Sequence, residues 1–414
     1  MILEYSCENY RSIKEKVMFS MLASKDNSFK NLLIDYKGTL INKVAAIYGA
    51  NGSGKTSFLN SLYFLKYLVC NSNNHQPGDK IRQVSHKLAK KNVPTTYAIQ
   101  FVKEDVRYAY GLSYTSEQII SEYLYYFPNG KQAKIFDRNL SKISFGDKFK
   151  KDFEEILNFV KPNKLFLSVS ANYSAVKEAE LVFLFFKEDI ILYPLPLEIS
   201  NWLEYSIERF TKEPELKKIF IKFMKSIDTP IQDIDTKFEK AQMAPEFIPD
   251  NVPDEIKPFF AQVKEVTRAE AKINYGLFSV DLNEESKGIQ KLFEVFGPII
   301  DIILNDKILI WDEMETSLHP YIVKEILRLI MYAKQDSKAQ LIFSTHDTNL
   351  LDLNMFRRDQ IWFTELNEGR TTDIYSLAEL KNVRKDENIS KGYMNGKYGA
   401  IPFIRNPLVF PGEE

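Results

Sequence analysis

The segment Gly49-Ala50-Asn51-Gly52-Ser53-Gly54-Lys55-Thr56 fills every fixed position of the pattern G-x-x-x-x-G-K-[ST]. That pattern suits the binding of nucleotide phosphates. Successive backbone N–H groups curl around phosphate oxygens, glycines permit the close approach, and the start of a helix adds a favourable dipole. In such a cradle, built from Asn51, Gly52, Ser53 and Gly54, Lys55 reaches the β- and γ-phosphates and Thr56 offers a hydroxyl to Mg²⁺. Far along the chain, the apolar run Ile308-Leu309-Ile310-Trp311 meets Asp312-Glu313. Asp312 at a strand end is placed to hold Mg²⁺ through water, and Glu313 to polarise the attacking water.

These residues work only if particular elements present them. Val44–Tyr48 is a continuous apolar run, as expected of a strand buried on both faces. Phe58, Leu62 and Leu65 recur at helical spacing in Ser57–Tyr67 just after the loop. Tyr97–Val102, Arg107–Ser113 and Glu122–Phe127 predict a β-meander with a turn at Pro128-Asn129-Gly130. Helical patterns follow over Phe149–Val160 and Ile199–Ile227, with proline-bearing loops over 244–258. Lys307–Trp311 (strand), Pro320–Ala333 (amphipathic helix) and Gln340–Ser344 (strand) then alternate, which predicts an α/β fold with a parallel sheet.

Composition narrows the class. The 414 residues carry 55 Lys+Arg against 56 Asp+Glu, a net charge of −1, which argues against a chain coated in positive potential. Cys7 and Cys70 are the only cysteines and there are 4 His, so neither a disulfide framework nor a Cys- or His-rich metal centre is expected. With Glu4 and Glu8 in the first residues and no apolar run near ~20 residues, neither a signal peptide nor a membrane span is expected. A reducing, cytoplasmic setting follows as an expectation. The lysine runs Lys87, Lys90, Lys91 and Lys142, Lys148, Lys150, Lys151 read either as solvated faces or as phosphate-backbone contacts.

At this point the sequence resembles the soluble branch of the ABC-type ATPases, with structural-maintenance-of-chromosomes, RecF and Rad50 proteins. The resemblance rests on Asn51–Lys55, on Ser317-Leu318-His319-Pro320 as a D-loop, and on Phe343-Ser344-Thr345-His346 as a switch-histidine segment. Glu285-Ser286-Lys287-Gly288 resembles a divergent signature motif, and Asn9-Tyr10-Arg11-Ser12 an N-terminal element of these proteins. Gln83 and Gln100 are candidates for the Q-loop glutamine. The resemblance implies two heads sandwiching ATP with Mg²⁺, each ATP lying on Lys55 and Thr56 of one head and on Ser286 and Gly288 of the other. His346 would orient the water with Glu313, and Arg11 and His319 would contact nucleotide. Read as residues alone, Ser286 also fits a helix N-cap, His319 a helix-start residue before Pro320, and Arg11 a surface arginine. The implied domains are 1–140, the N-terminal part of an ABC-type head with its antiparallel β subdomain; 141–275, an inserted helical lid; and 276–414, the C-terminal part with signature, Walker B, D-loop and switch histidine.

The tail phrases Arg357-Arg358-Asp359-Gln360-Ile361-Trp362-Phe363 and Asn395-Gly396-Lys397-Tyr398-Gly399-Ala400-Ile401-Pro402 further resemble a prokaryotic family of stand-alone ATPases, the AAA15 or abortive-infection type. That resemblance implies an anti-phage defence role beside a separately encoded nuclease or toxin effector, Toprim or RloB-like. It also implies a homodimer or higher homo-oligomer. The alternative is a RecF-like repair ATPase that grips nucleic acid directly. From the aromatic, proline-interrupted interval 57–284 a long coiled-coil arm is not expected, and from the 68 residues that follow His346 a Toprim domain is not expected either.

Overall fold

The computed structural model describes the chain except residues 195–201, 243–264, 333, 335, 382, 385–386 and 403–414. The proline-bearing loops 244–258 lie outside the described residues. Packing divides the chain into two compact units, one of Met1–Pro196, Ile302–Thr316 and Val323–Glu414, the other of Leu197–Asp301 and Ser317–Ile322. Residues 141–194 thus pack within the first unit.

The first unit is built on two sheets. One has the strand order Ile190–Tyr193, Ile308–Trp311, Gln340–Ser344, Val44–Tyr48, Ile361–Leu366, Thr372–Ser376. The first five run parallel and the last is antiparallel. Val44–Tyr48, Ile308–Trp311 and Gln340–Ser344 are buried at every position. Strands covered on both faces need apolar side chains pointing both ways, so these runs do not alternate. The second sheet is antiparallel, in the order Lys142–Phe145, Ala133–Asn139, Ile119–Phe127, Val106–Tyr114, Thr95–Lys103, Ile2–Glu8, Val17–Ser20. Thr95–Lys103 buries alternate residues, as a sheet with one covered face must.

Helix Lys55–Asn71 lies in the core between these sheets. Its Phe58 ring meets Tyr5 at 5.8 Å and Phe19 at 5.3 Å, and Phe19 in turn meets Trp362 at 4.8 Å. Tyr5 also donates its hydroxyl to Ser61 Oγ at 2.8 Å. The helix that opens on the glycine-rich loop is therefore clamped by aromatic packing at its first turn.

A buried polar cluster ties the antiparallel sheet to helix Phe166–Tyr173. Glu122, fully buried, accepts from the N–H groups of Phe166 (2.6 Å) and Leu167 (2.9 Å) and from the Tyr110 hydroxyl (3.0 Å). Arg138 stands 3.7 Å away and donates to the carbonyls of Leu140, Lys164 and Lys161. Burial pushes the Glu122 carboxyl up, and Arg138 with the helix N–H groups opposes that shift.

The second unit packs helices Trp202–Lys212, Pro214–Ser226 and the bulk of Lys287–Leu304 with a three-stranded antiparallel sheet, Asp233–Gln242, Glu265–Asn274 and Ser279–Asp281. Its core is a ring cluster in which Phe210 meets Phe293 at 5.0 Å and Phe220 meets Phe296 at 5.0 Å. The interval expected from sequence to be a helical lid is thus part β.

Glu122→Ala would leave the Arg138 guanidinium buried without its carboxylate. We predict a loss of roughly 3–5 kcal/mol, read as a lowered midpoint in thermal or urea unfolding. An unchanged midpoint would show that the pair does not hold the helix to the sheet.

Candidate functional site

Three parallel neighbours end side by side. Trp311 pairs with Phe343, and Ser344 with Ile47. The residues that follow those ends are Asp312-Glu313, Thr345-His346 and the loop from Gly49. The crevice beyond the carboxyl ends of such strands is where open α/β sheets bind ligands.

The loop after Tyr48 is tightly built. Lys55, 5% exposed, donates from Nζ to the carbonyls of Gly49 (2.9 Å) and Ala50 (3.1 Å). Burial pushes its pKa down, while the nearby carboxylates of Asp312, Glu313 and Glu315 pull it up. Ser53 Oγ shares a hydrogen bond with Thr364 Oγ1 at 2.7 Å. Thr372 Oγ1 donates to the Ser53 carbonyl at 2.9 Å and lies 2.8 Å from Ser12 Oγ. Gly54 has φ +112, and a Cβ there would come within 2.1–2.9 Å of the Thr372 side chain, so only glycine fits. Asn51, Gly52 and Thr56 are exposed at the mouth of the loop.

The acidic turn is zipped to the neighbouring strand. Ser344 Oγ donates to Asp312 Oδ1 at 2.5 Å and accepts from the Glu313 N–H at 2.8 Å. Met314 N–H donates to the Ser344 carbonyl at 3.1 Å, and His346 N–H to Glu315 Oε1 at 2.6 Å. These bonds hold Glu313 at φ 51, a left-handed conformation that costs a non-glycine residue on the order of 1–3 kcal/mol. The His346 residue is exposed. Partial burial and the Lys55 charge push its pKa down, against Glu315, Glu313 and Asp312. Lys55, Asp312, Glu313 and His346 thus lie within reach of one another's charge.

Ser286, Gly288 and His319 belong to the second unit. Ser286 precedes helix Lys287–Leu304, and its Oγ accepts from the Ile289 N–H at 3.4 Å, the contact of an N-cap. A Cβ on Gly288 would lie 3.4 Å from the Ser317 carbonyl, which puts the signature-like and D-loop-like segments in contact. His319 Nδ1 accepts from the Tyr321 N–H at 3.3 Å and its ring stacks on Tyr321, a helix-start arrangement. In the first unit, Arg11 sits at φ 49 with its N–H on the Val84 carbonyl and its guanidinium over the Tyr10 ring. It is Ser12 of that motif that touches the glycine-rich loop, through Thr372. Gln83 bonds Val93 and Thr95, and Gln100 bonds Glu4, so both serve the β subdomain.

Four contributors went unrecognised in the sequence: Ser344 as a bridge, Glu315, Thr364 and Thr372. Ser344 and Glu315 lie inside motifs that drew notice for other positions. Nothing in the local pattern marks the two threonines, which reach the loop from strands more than 300 positions away.

The sequence pattern described as "AAA domain, putative AbiEii toxin, Type IV TA system" matches residues 44–352, from the first residue of the loop's strand to just past the switch segment. The chain belongs to this AAA family. No curated protein matches it. Among solved structures it is similar to the SMC head domain from Thermotoga maritima, with 12% identity, a TM-score of 0.41, and coverage of 91% of this chain and 98% of that one. It is also similar to a Smc head domain with an extended coiled coil derived from Pyrococcus furiosus, bound to the C-terminal domain of ScpA. That pair shows 13% identity, a TM-score of 0.42 and coverage of 91% and 96%. Within the AAA family, members use nucleotide and Mg²⁺ in general. Among the described residues no three His, Cys, Asp or Glu side chains form a metal cage. The donors here, Thr56 and Asp312, suit the one-or-two-ligand manner in which proteins hold a phosphate-bound Mg²⁺.

Ser344→Ala would deprive Asp312 and the Glu313 N–H of their shared partner. A destabilisation of about 1–3 kcal/mol is expected, restored by Ser344→Thr and measured by unfolding midpoints. Equal midpoints for all three proteins would count against the bridge.

Proposed function

We propose that the chain hydrolyses ATP and works as a head that closes on a second copy of itself around two nucleotides. The observation that supports this best is the convergence of Lys55, Asp312, Glu313 and His346 at three adjacent strand ends. ATP is the substrate. Thr56 and Asp312 would hold Mg²⁺, which would supply charge neutralisation for the phosphates. The backbone N–H groups from Asn51 to Thr56 bind the phosphates, and Lys55 would exchange its carbonyl partners for phosphate oxygens. Glu313 accepts a proton from the attacking water, and His346, whose pKa burial and the Lys55 charge push down, orients the γ-phosphate. Ser286 and Gly288, at a helix start, would bind the γ-phosphate of the nucleotide held by the partner copy. Arg11 and His319 are proposed as minor contacts.

The biological reading is that of a sensor or regulatory subunit in prokaryotic anti-phage, abortive-infection defence, acting on a separate nuclease or toxin effector. The family description, with its toxin and toxin–antitoxin wording, supports that setting. No helix of the described residues is long and apolar enough to cross a membrane, and a cytoplasmic site of action is part of the proposal.

Two variants test the chemistry and the assembly separately. Glu313→Gln should bind ATP normally and slow single-turnover hydrolysis by roughly 10²-fold or more, whereas Lys55→Ala should lose binding. Normal turnover in Glu313→Gln would remove Glu313 from the mechanism. Ser286→Arg should keep nucleotide binding by the monomer and abolish ATP-dependent dimers in sedimentation velocity. Dimers that persist unchanged would overturn the sandwich.

A further inference from the structure

Glu315 is a carboxylate at the site for which the proposed hydrolysis has no assigned use. It stands two residues past Glu313, yet its Oε1 crosses to the next strand end and takes the His346 N–H at 2.6 Å. Its Oε2 is buried and has no hydrogen-bond partner among the described residues. With Asp312 and Glu313 it raises the proton affinity of Lys55, and it is the leading carboxylate acting on His346.

Three roles compete for such a group. A general base must present an oxygen to the attacking water, but here one oxygen is committed to a backbone N–H and the other is buried. A metal ligand fails on the same ground. A surface carboxylate would not reach across 31 positions to a specific amide. What remains is geometry. A hydrogen bond to an ionised acceptor is short and roughly twice as strong as a neutral one. This one fixes the second residue beyond the end of strand Gln340–Ser344, while Thr345 is held by the Ile47 carbonyl at 3.1 Å.

We propose that Glu315 is a positioning residue: by gripping the His346 N–H it sets the switch histidine against Glu313, so that the two groups meet the γ-phosphate and the water as one preset pair. The inference rests on the roles given above to Glu313 and His346. Ser344 pins the front of the acidic turn and Glu315 its back, so turn and switch segment move together or not at all.

The test uses the full chain carrying Glu315→Ala or Glu315→Gln, each in the natural background and with His346→Ala. Single-turnover hydrolysis of Mg-ATP and affinity for a fluorescent ATP analogue are measured for all. Glu315→Ala should lower the rate roughly tenfold to a hundredfold, the scale of a misplaced group, with affinity unchanged. Glu315→Gln keeps an oxygen acceptor and should stay within a few-fold of the natural rate. In the His346→Ala background, Glu315→Ala should cost nothing further, because residues acting as a unit are non-additive. Equal fold losses in both backgrounds, or Gln failing as badly as Ala, would overturn the proposal. A second readout does not depend on hydrolysis. The chain has 4 His, so ¹⁵N-histidine labelling gives few amide signals, and His346→Ala identifies the one that matters. That signal should move upfield in Glu315→Ala. If it stays in place the proposal fails whatever the turnover. If it moves while the natural protein does not hydrolyse ATP, the hydrolysis reading fails and the contact stands.

Discussion

Everything at this site depends on the lateral pairing of Val44–Tyr48, Gln340–Ser344 and Ile308–Trp311. Parallel neighbours about 4.8 Å apart bring the loop from Gly49, which is remote in sequence, beside the two later turns at Asp312 and Thr345. The pairing tolerates little error. A slip of one residue would turn each strand's side chains to the opposite face and carry Ser344 away from Asp312. The fully buried composition of the strands protects the register, because both faces are already committed to packing.

The hydrogen bonds at the strand ends convert that register into a working geometry. Asp312, Glu313 and His346 sit on turns, which are ordinarily the looser parts of a domain. Here each is anchored to the neighbouring strand end, and Glu313 is kept in a backbone conformation it would leave if released. The loop with Lys55 is held likewise, from Thr364 and Thr372 on the far side of the sheet. Precision in the crevice thus comes from polar side chains beneath it, with the aromatic clamp on helix Lys55–Asn71 supplying rigidity.

Much of this was legible in the sequence, for identifiable reasons. The parallel strands are continuous apolar runs, and Gln340–Ser344 was placed to the residue. The meander was read as far as Phe127, and its last two strands, Ala133–Asn139 and Lys142–Phe145, were missed because they carry Lys134, Asp137, Arg138 and Lys142. The strands Asp233–Gln242 and Glu265–Asn274 escaped for a related reason. Strand pairing there is dressed with charge, including the pairs Arg268–Glu270 and Lys272–Asp281, and among the described side chains buries little beyond Ile234, Ala271 and Ile273. In helix Pro214–Ser226 the buried stripe is Leu216, Phe220 and Met224, while Ile219, which also fits helical spacing, is 47% exposed. Periodicity located the helix, and tertiary packing decided its face. The loop and acidic motifs announced themselves because their chemistry restricts residue choice locally. Thr364, Thr372 and Glu315 act across the fold, and no local pattern records such a contact.

The contact between Gly54 and Thr372 carries a consequence for inheritance. The threonine fills the space a side chain at position 54 would need, while its hydroxyl joins Ser12 to the Ser53 carbonyl. Positions 12, 54 and 372 are therefore not free to vary singly. A lineage that enlarges residue 54 must first shrink residue 372, and doing so unfastens the N-terminal turn from the glycine-rich loop. The most strictly patterned loop in the chain is bound, through one hydroxyl, to the Asn9–Ser12 turn and to strand Thr372–Ser376, and the three can drift only together.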